Sequence, residues 1–252
     1  MISYVFKRYE LKYLLTKEQY NSIKAGIAQE LSPDAFGRTT IQSLYYDTPE
    51  SRLIRESLEK PIFKEKLRLR CYGLNGCDKD VYLEMKRKYD GVVYKRRIAC
   101  KENEARNLLH GSGNSQIEKE LAYFFRFYSE LAPKMLILYD REAFCDPGSD
   151  LRVTFDSRVR YRTSELNLHT SLDGDRLLPE GTVLMELKTG TAFPLWLCDL
   201  LSREAVQKQS FSKYGAAYEL ECRKTTKPKG EILCLNPFSA TEALPLSVSL
   251  SS

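Results

Sequence analysis

Apolar and charged residues alternate along most of this chain in short runs. The densest run spans Lys66 to Arg97, reading KLRLR, a short connection, then VYLEMKRKYDGVVYKRRI. Side chains of an extended strand point alternately to two faces. Arg68 and Arg70 therefore share one face, as do Glu84, Lys86 and Lys88, with Val81, Leu83 and Met85 opposite. Tyr89-Asp90-Gly91 supplies turn residues, which predicts a hairpin returning through Val92 to Ile98.

The same alternation predicts strands over Val5 to Leu15, over Thr39 to Asp47, and in runs beginning at Met135, Leu151 and Val183. Shared faces are then Arg8, Glu10 and Lys12; Tyr139 and Arg141; Arg152, Thr154 and Asp156; and Glu186 with Lys188. Thr16, with Gln19 three residues on, opens an amphipathic helix that runs to about Leu31. Helices are also predicted over Glu50 to Glu59, Glu102 to His110, Gln116 to Leu131, Phe193 to Val206 and after Gln209. Trp196 and its neighbouring leucines read as core packing.

Every strand joins an aliphatic face to a charged one. An open sheet with one wet face has the same pattern strand by strand, so number decides. About seven strands twist strongly enough to close, which gathers the charged faces into one lumen. The expected fold is α+β: an antiparallel closed β-tunnel of about eight strands with a charged lumen and helices packed outside. Cations so dense repel one another unless an anion lies among them, and polyvalent phosphate fits.

Composition sharpens this only slightly. The chain has 252 residues and a net charge of +5, so whole-chain charge does not point to nucleic acid, and none is expected as a partner. No apolar run of about 18 residues exists and the N-terminus lacks a signal-peptide core. Seven scattered cysteines without a CxxC pair read as reduced thiols in a cytoplasmic protein. Two histidines, His110 and His169, sit in loop contexts and argue against histidine-based catalysis. From about Thr225 the composition turns to Lys-Pro-Lys-Gly and then Ser, Leu and Pro. The expected organisation is therefore a domain over 1–224 and a flexible tail over 225–252.

Taken in order, RYELKY (Arg8 to Tyr13), SLYYDTP (Ser43 to Pro49), KLRLR (Lys66 to Arg70), YLEMKRK (Tyr82 to Lys88), YDREAF (Tyr139 to Phe144), LRVTFD (Leu151 to Asp156), MELK (Met185 to Lys188) and SFSKY (Ser210 to Tyr214) form one series. In it the chain resembles the VTC domain, the polyphosphate polymerase domain of the vacuolar transporter chaperone. That domain belongs to the CYTH-like triphosphate tunnel metalloenzymes. The resemblance implies ATP and inorganic polyphosphate as substrates and a divalent metal, manganese first and magnesium second. It implies catalytic phosphate contacts from Lys12, Arg68, Arg70, Lys86, Arg141 and Arg152, and Glu186 as the metal ligand. Ser212, Lys213, Tyr139 and Lys188 join the substrate-binding set, with Glu10 and Glu84 orienting the cations by ion pairing. Lys95 or Arg96 supplies a further tunnel cation, hairpin register leaving the choice open.

Two positions depart from the family pattern. Lys88 stands where the yeast catalytic subunit has a histidine, and Ser210 replaces the first lysine of its KFSK motif, with Lys208 nearby. These 252 residues contain neither an SPX domain nor membrane segments, so a membrane partner is expected to be a separate polypeptide. Two other functions use the same wall. A triphosphatase admits water to the γ-phosphate, but the ExExK signature of CYTH proteins reads RYELK here, with Arg8 in place of the first glutamate. A non-catalytic polyphosphate-binding module is the third reading, against which the presence of Glu186 argues.

Overall fold

A computed structural model describes residues 9–74, 80–90, 92–110, 114–146 and 148–226. Arg8, the turn residues Gly91 and Pro147, and the expected tail beyond 226 lie outside these.

The chain begins with β1 (Tyr9–Leu15), shorter than expected because residues 5–8 are not among those described. It continues into α1 (Lys17–Glu30). The predicted capping box forms: the Gln19 amide donates to Thr16 Oγ1 at 3.2 Å, and the Thr16 amide donates to Gln19 Oε1 at 3.1 Å. A two-residue strand, β2 (Ser32–Pro33), then pairs with β7 (Ala132–Cys145), where the sequence predicted only a helix stop. β3 (Thr39–Asp47) matches its expected bounds. Buried Asp47 accepts the amides of Thr48, Leu53 and Ile54 and so starts α2 (Arg52–Leu58).

β4 (Phe63–Tyr72), β5 (Val81–Tyr89) and β6 (Val92–Cys100) form the predicted meander, with Asp90 left-handed (φ 42°) at the hairpin turn. After α3 (Glu102–Leu109), α4 (Gln116–Phe127) stops before the predicted Leu131, because β7 begins at Ala132, opposite Asp47, and Glu130 (φ 65°) turns the chain toward it. β8 (Arg152–Arg162), the short β9 (Asp175–Arg176), β10 (Val183–Thr189), α5 (Leu195–Arg203) and α6 (Lys213–Thr226) complete the described chain. α6 thus continues past the domain boundary expected at 224.

The sheet is antiparallel, in the order β1-β10-β8-β7-β3-β4-β5-β6. Two apolar clusters cover its outer face. Ile23, Ile27, Leu197 and Leu200 of α1 and α5 pack on β1, β8 and β10; Leu121 and Phe124 of α4 pack with Leu67, Leu83 and Leu136.

Two features depart from the expected tunnel. The ladder is not closed: β1 and β6 are its ends among the described residues. The free edge of β1 is already occupied, because Tyr13 bridges Lys208 and the Gln209 amide donates to the Lys12 carbonyl at 2.8 Å. The second departure concerns α6, which packs inside the curl rather than outside it. Tyr214 and Ala217 join Ile41, Tyr45, Ile137, Tyr139 and Leu184 in a third buried cluster, on the same strand face as the charged residues. Tyr45 and Tyr214 stack at 4.5 Å, and the Tyr214 hydroxyl donates to Asp47 at 2.8 Å. Part of the inner face is apolar and needs cover, and α6 provides it.

Candidate functional site

The concave face carries charge where α6 does not cover it. Even-numbered residues of β1, β4, β5 and β10 point inward; the register sets Lys12 opposite Glu186 and Arg68 opposite Glu84, but places two cations, Lys66 and Lys86, opposite each other.

Glu84 is one centre of this network. It is 2% exposed, and Arg68 Nε donates to its Oε2 at 2.7 Å. Lys95 and Arg97 each reach its other oxygen at 2.8 Å, and Arg70 Nε lies 3.8 Å away. Burial pushes this carboxyl's pKa up, but the fields of Arg68, Arg70 and Lys95 outweigh it and hold the group well below the usual carboxylate range. Arg68 also donates to the Tyr45 hydroxyl at 3.1 Å, and Arg70 to that of Tyr139 at 3.3 Å. Burial raises the Tyr45 phenol, yet Arg68, Lys66 and Arg70 prevail and lower it to about 8.

A second centre joins Glu186 and Asp156. Glu186 faces Lys188 at 2.7 Å, Lys213 at 3.3 Å, Lys12 at 3.7 Å and Arg141 at 3.9 Å. Lys12 reaches Glu10 at 3.3 Å as well. Asp156 is fully buried, accepts a two-pronged contact from Arg141 at 2.6 and 2.7 Å, and lies 2.5 Å from Lys213 Nζ. Burial opposes ionisation of both carboxyls, but Lys213 leads the cations that keep them charged. Ser212 caps α6, accepting from the Gly215 amide at 3.2 Å, and also accepts from Lys66 Nζ at 3.1 Å.

Lys66 and Lys86 have no carboxylate within salt-bridge distance among the described residues. Burial, opposed by Tyr45 and reinforced by Lys86, Lys64 and Lys12, lowers Lys66 to about 8. Burial likewise brings Lys95 to about 8, with Glu84 opposing. Free lysine side chains hold their protons to about pH 10.4, so these two discharge early. A bound polyanion favours their charged forms, and so binding above about pH 8 requires proton uptake. Affinity for inorganic tripolyphosphate is therefore expected to fall as pH rises through about 8, and Lys66→Arg to retain more of it. Calorimetry across that range checks this; a flat profile in both proteins contradicts it.

Nearly all of the sequence-predicted site residues converge here. Arg96 does not: it points outward and pairs with Glu120 of α4 at 3.1 Å, because the Tyr89–Val92 register puts Lys95 inside. Lys88 faces inward near one mouth, opposite Lys64. Arg152 lies at the other mouth, where it reaches Asp34 at 2.9 Å. Lys208 meets β1 through its backbone and has an exposed side chain. Four residues without a sequence-based role join the site: Lys66, Arg97, Tyr45 and Asp156. The alternation through KLRLR places Lys66 with Arg68, and the hairpin register places Arg97 with Lys95. Asp156 was visible on the charged face, but its partner Lys213 is remote in sequence.

Among the described residues no cluster of three or more His, Cys, Asp or Glu side chains is present that by itself holds a metal. Glu186, with Glu10 bridged to it through Lys12, fits a hard divalent cation that takes its remaining ligands from phosphate oxygens. Both histidines lie elsewhere: His169 pairs with Glu102 at 2.9 Å and His110 packs on Phe125.

Cations thus converge on the concave face of a curled antiparallel sheet. The VTC domain family matches residues 7–221, and the chain belongs to that family. Among solved structures, HpAC1 from Hippeastrum, described as a candidate adenylyl cyclase with a dominant triphosphatase activity, is similar. It has a TM-score of 0.53 and 13% identity, over 84% of this chain and 96% of that one. The PH1819 protein of Pyrococcus horikoshii gives 0.49 and 15%, over 85% and 99%. A Vibrio parahaemolyticus protein described as a candidate adenylate cyclase gives 0.48 and 12%, over 86% and 99%. No curated protein matches the chain.

Proposed function

We propose that this domain is an ATP-dependent polyphosphate polymerase, transferring the γ-phosphate of ATP to a growing inorganic polyphosphate chain. The observation that carries this reading is the inner wall of a VTC-family tunnel. Cations outnumber carboxylates there, and Glu186 is held among Lys12, Lys188, Lys213 and Arg141.

Phosphoryl transfer asks little covalent work of a protein; positioning and charge neutralisation supply most of the rate. The chain-terminal phosphate oxygen attacks Pγ. The bond from Pγ to the β,γ-bridging oxygen breaks, and that oxygen leaves with the electron pair as part of ADP. A terminal phosphate loses its second proton with a pKa of about 6, so the attacking oxygen needs no base and the absence of an inward histidine costs nothing. Arg68, Arg70 and Arg141 present guanidinium forks to the phosphate oxygens, while Lys12, Lys66 and Lys86 act as mobile point charges along the wall. Arg152 and Lys88 guide the polyanion at opposite mouths. A divalent cation, manganese or magnesium, bound by Glu186 and phosphate oxygens, would supply further neutralisation of charge on the transferring group.

A triphosphatase is the second reading, favoured by the activity described for HpAC1. A non-catalytic polyphosphate-binding module uses the same wall. None of the described helices is long and apolar enough to cross a membrane.

The test is incubation of the purified protein with ATP and manganese, following polymer on a gel and free phosphate in parallel. Polymer is expected from the wild type, and Glu186→Gln is expected to lose about 100-fold or more in rate. Free phosphate without polymer moves the assignment to triphosphatase. Tight polyphosphate binding with neither product makes the tunnel a receptor.

A further inference from the structure

At the mouth where β4 ends and β5 begins, two aromatic rings stand on the concave face. Tyr82 lies opposite Arg70, and Tyr72 is its diagonal neighbour on the same face of the next strand. The rings meet edge to face at 5.7 Å between centroids, and Tyr72 is 39% exposed. Arg97 joins the pair to the charged wall. It donates to the Tyr72 hydroxyl at 3.0 Å, sets its guanidinium 4.1 Å from the Tyr82 ring centroid, and reaches Glu84 at 2.8 Å. Neither tyrosine contributes to the sheet's buried clusters. A partly wet aromatic pair beside a phosphate-binding wall is poor packing but a good stacking surface.

The spacing suits a nucleotide. Strand residues rise about 3.3 Å each, so Tyr82 stands two residues, or about 7 Å, beyond Glu84 and its partner Arg68; Tyr72 stands about 13 Å beyond Arg68. A triphosphate lying along Arg68 and Arg70 would carry its ribose and base to that rim.

We propose that Tyr72 and Tyr82, joined to the wall by Arg97, form a stacking subsite for the purine base of the nucleoside triphosphate whose phosphates occupy the tunnel. This rests on the nucleotide reading above. The base is held by its π-face, so the subsite distinguishes a nucleotide from inorganic tripolyphosphate and aims the γ-phosphate inward, toward the growing chain.

The test compares calorimetric binding of ATP and of inorganic tripolyphosphate, each with the same divalent metal, to the full chain and to Tyr72→Leu, Tyr82→Leu and Tyr82→Phe. Both leucine variants are expected to bind ATP about tenfold more weakly, the loss of one stacked contact. Tripolyphosphate binding should be unchanged, and Tyr82→Phe, which keeps the ring, should bind ATP like the wild type. Equal weakening of both ligands would show that the tyrosines only position Arg97 and Glu84, and unchanged ATP binding would put the base elsewhere; either overturns the subsite while leaving the tunnel reading intact. Failure of the wild type to bind either ligand would overturn both.

Discussion

Arg68→Ala is expected to lower phosphoryl transfer by about 100-fold or more while leaving the protein folded, since a single pre-organised contact to a charged transition state is worth that much. Arg68 lines the concave face with a quarter of its side chain open to solvent. Its removal leaves Glu84 with Arg70, Lys95 and Arg97, so no buried charge is stranded. Lys86→Ala should behave similarly, because Lys86 has no carboxylate within salt-bridge distance among the described residues. Steady-state turnover and a thermal melt on the same samples decide the matter. A variant that melts far below the wild type would make the residue structural instead.

Asp156→Ala should do the reverse, destabilising the fold by about 3 to 5 kcal/mol, as expected when one partner of a buried pair is lost. Asp156 is fully buried and compensates two inward cations, Arg141 and Lys213. Lys213 begins α6, so the loss reaches the helix that fills the curl. Glu186 lies 3.3 Å from Lys213 and moderates the effect. Inorganic tripolyphosphate should restore part of the stability, because its oxygens can replace the missing carboxylate beside these cations. Urea unfolding with and without that ligand gives both numbers. A midpoint equal to the wild type would mean that Glu186 alone balances the pair.

These two residues show how differently the site was written into the chain. Arg68 was legible because strand periodicity is local: a side chain two residues from Arg70 must share its face, whatever the rest of the fold does. Lys66 obeys the same rule, two residues from Arg68 on the same strand face. Asp156 was visible as a face residue but not as a partner, since the lysine that reaches it comes from α6 at the far end of the chain. Arg96 and Lys95 could not be separated until the hairpin register was known; a shift of one residue exchanges inside for outside.

The sequence alone determined the long strands, their two-faced character, the Thr16 capping box and the family series, because each depends on neighbours a few residues apart; the two-residue β2 and β9 were not legible in it. Tertiary structure decided where the sheet ends and what fills it. Residues 208 and 209 take the edge of β1 that closure would have used. Tyr214 and Ala217 bury the apolar end of the concave face, leaving the charged part for phosphate. Both outcomes turn on contacts between segments remote in the chain, which local periodicity does not encode.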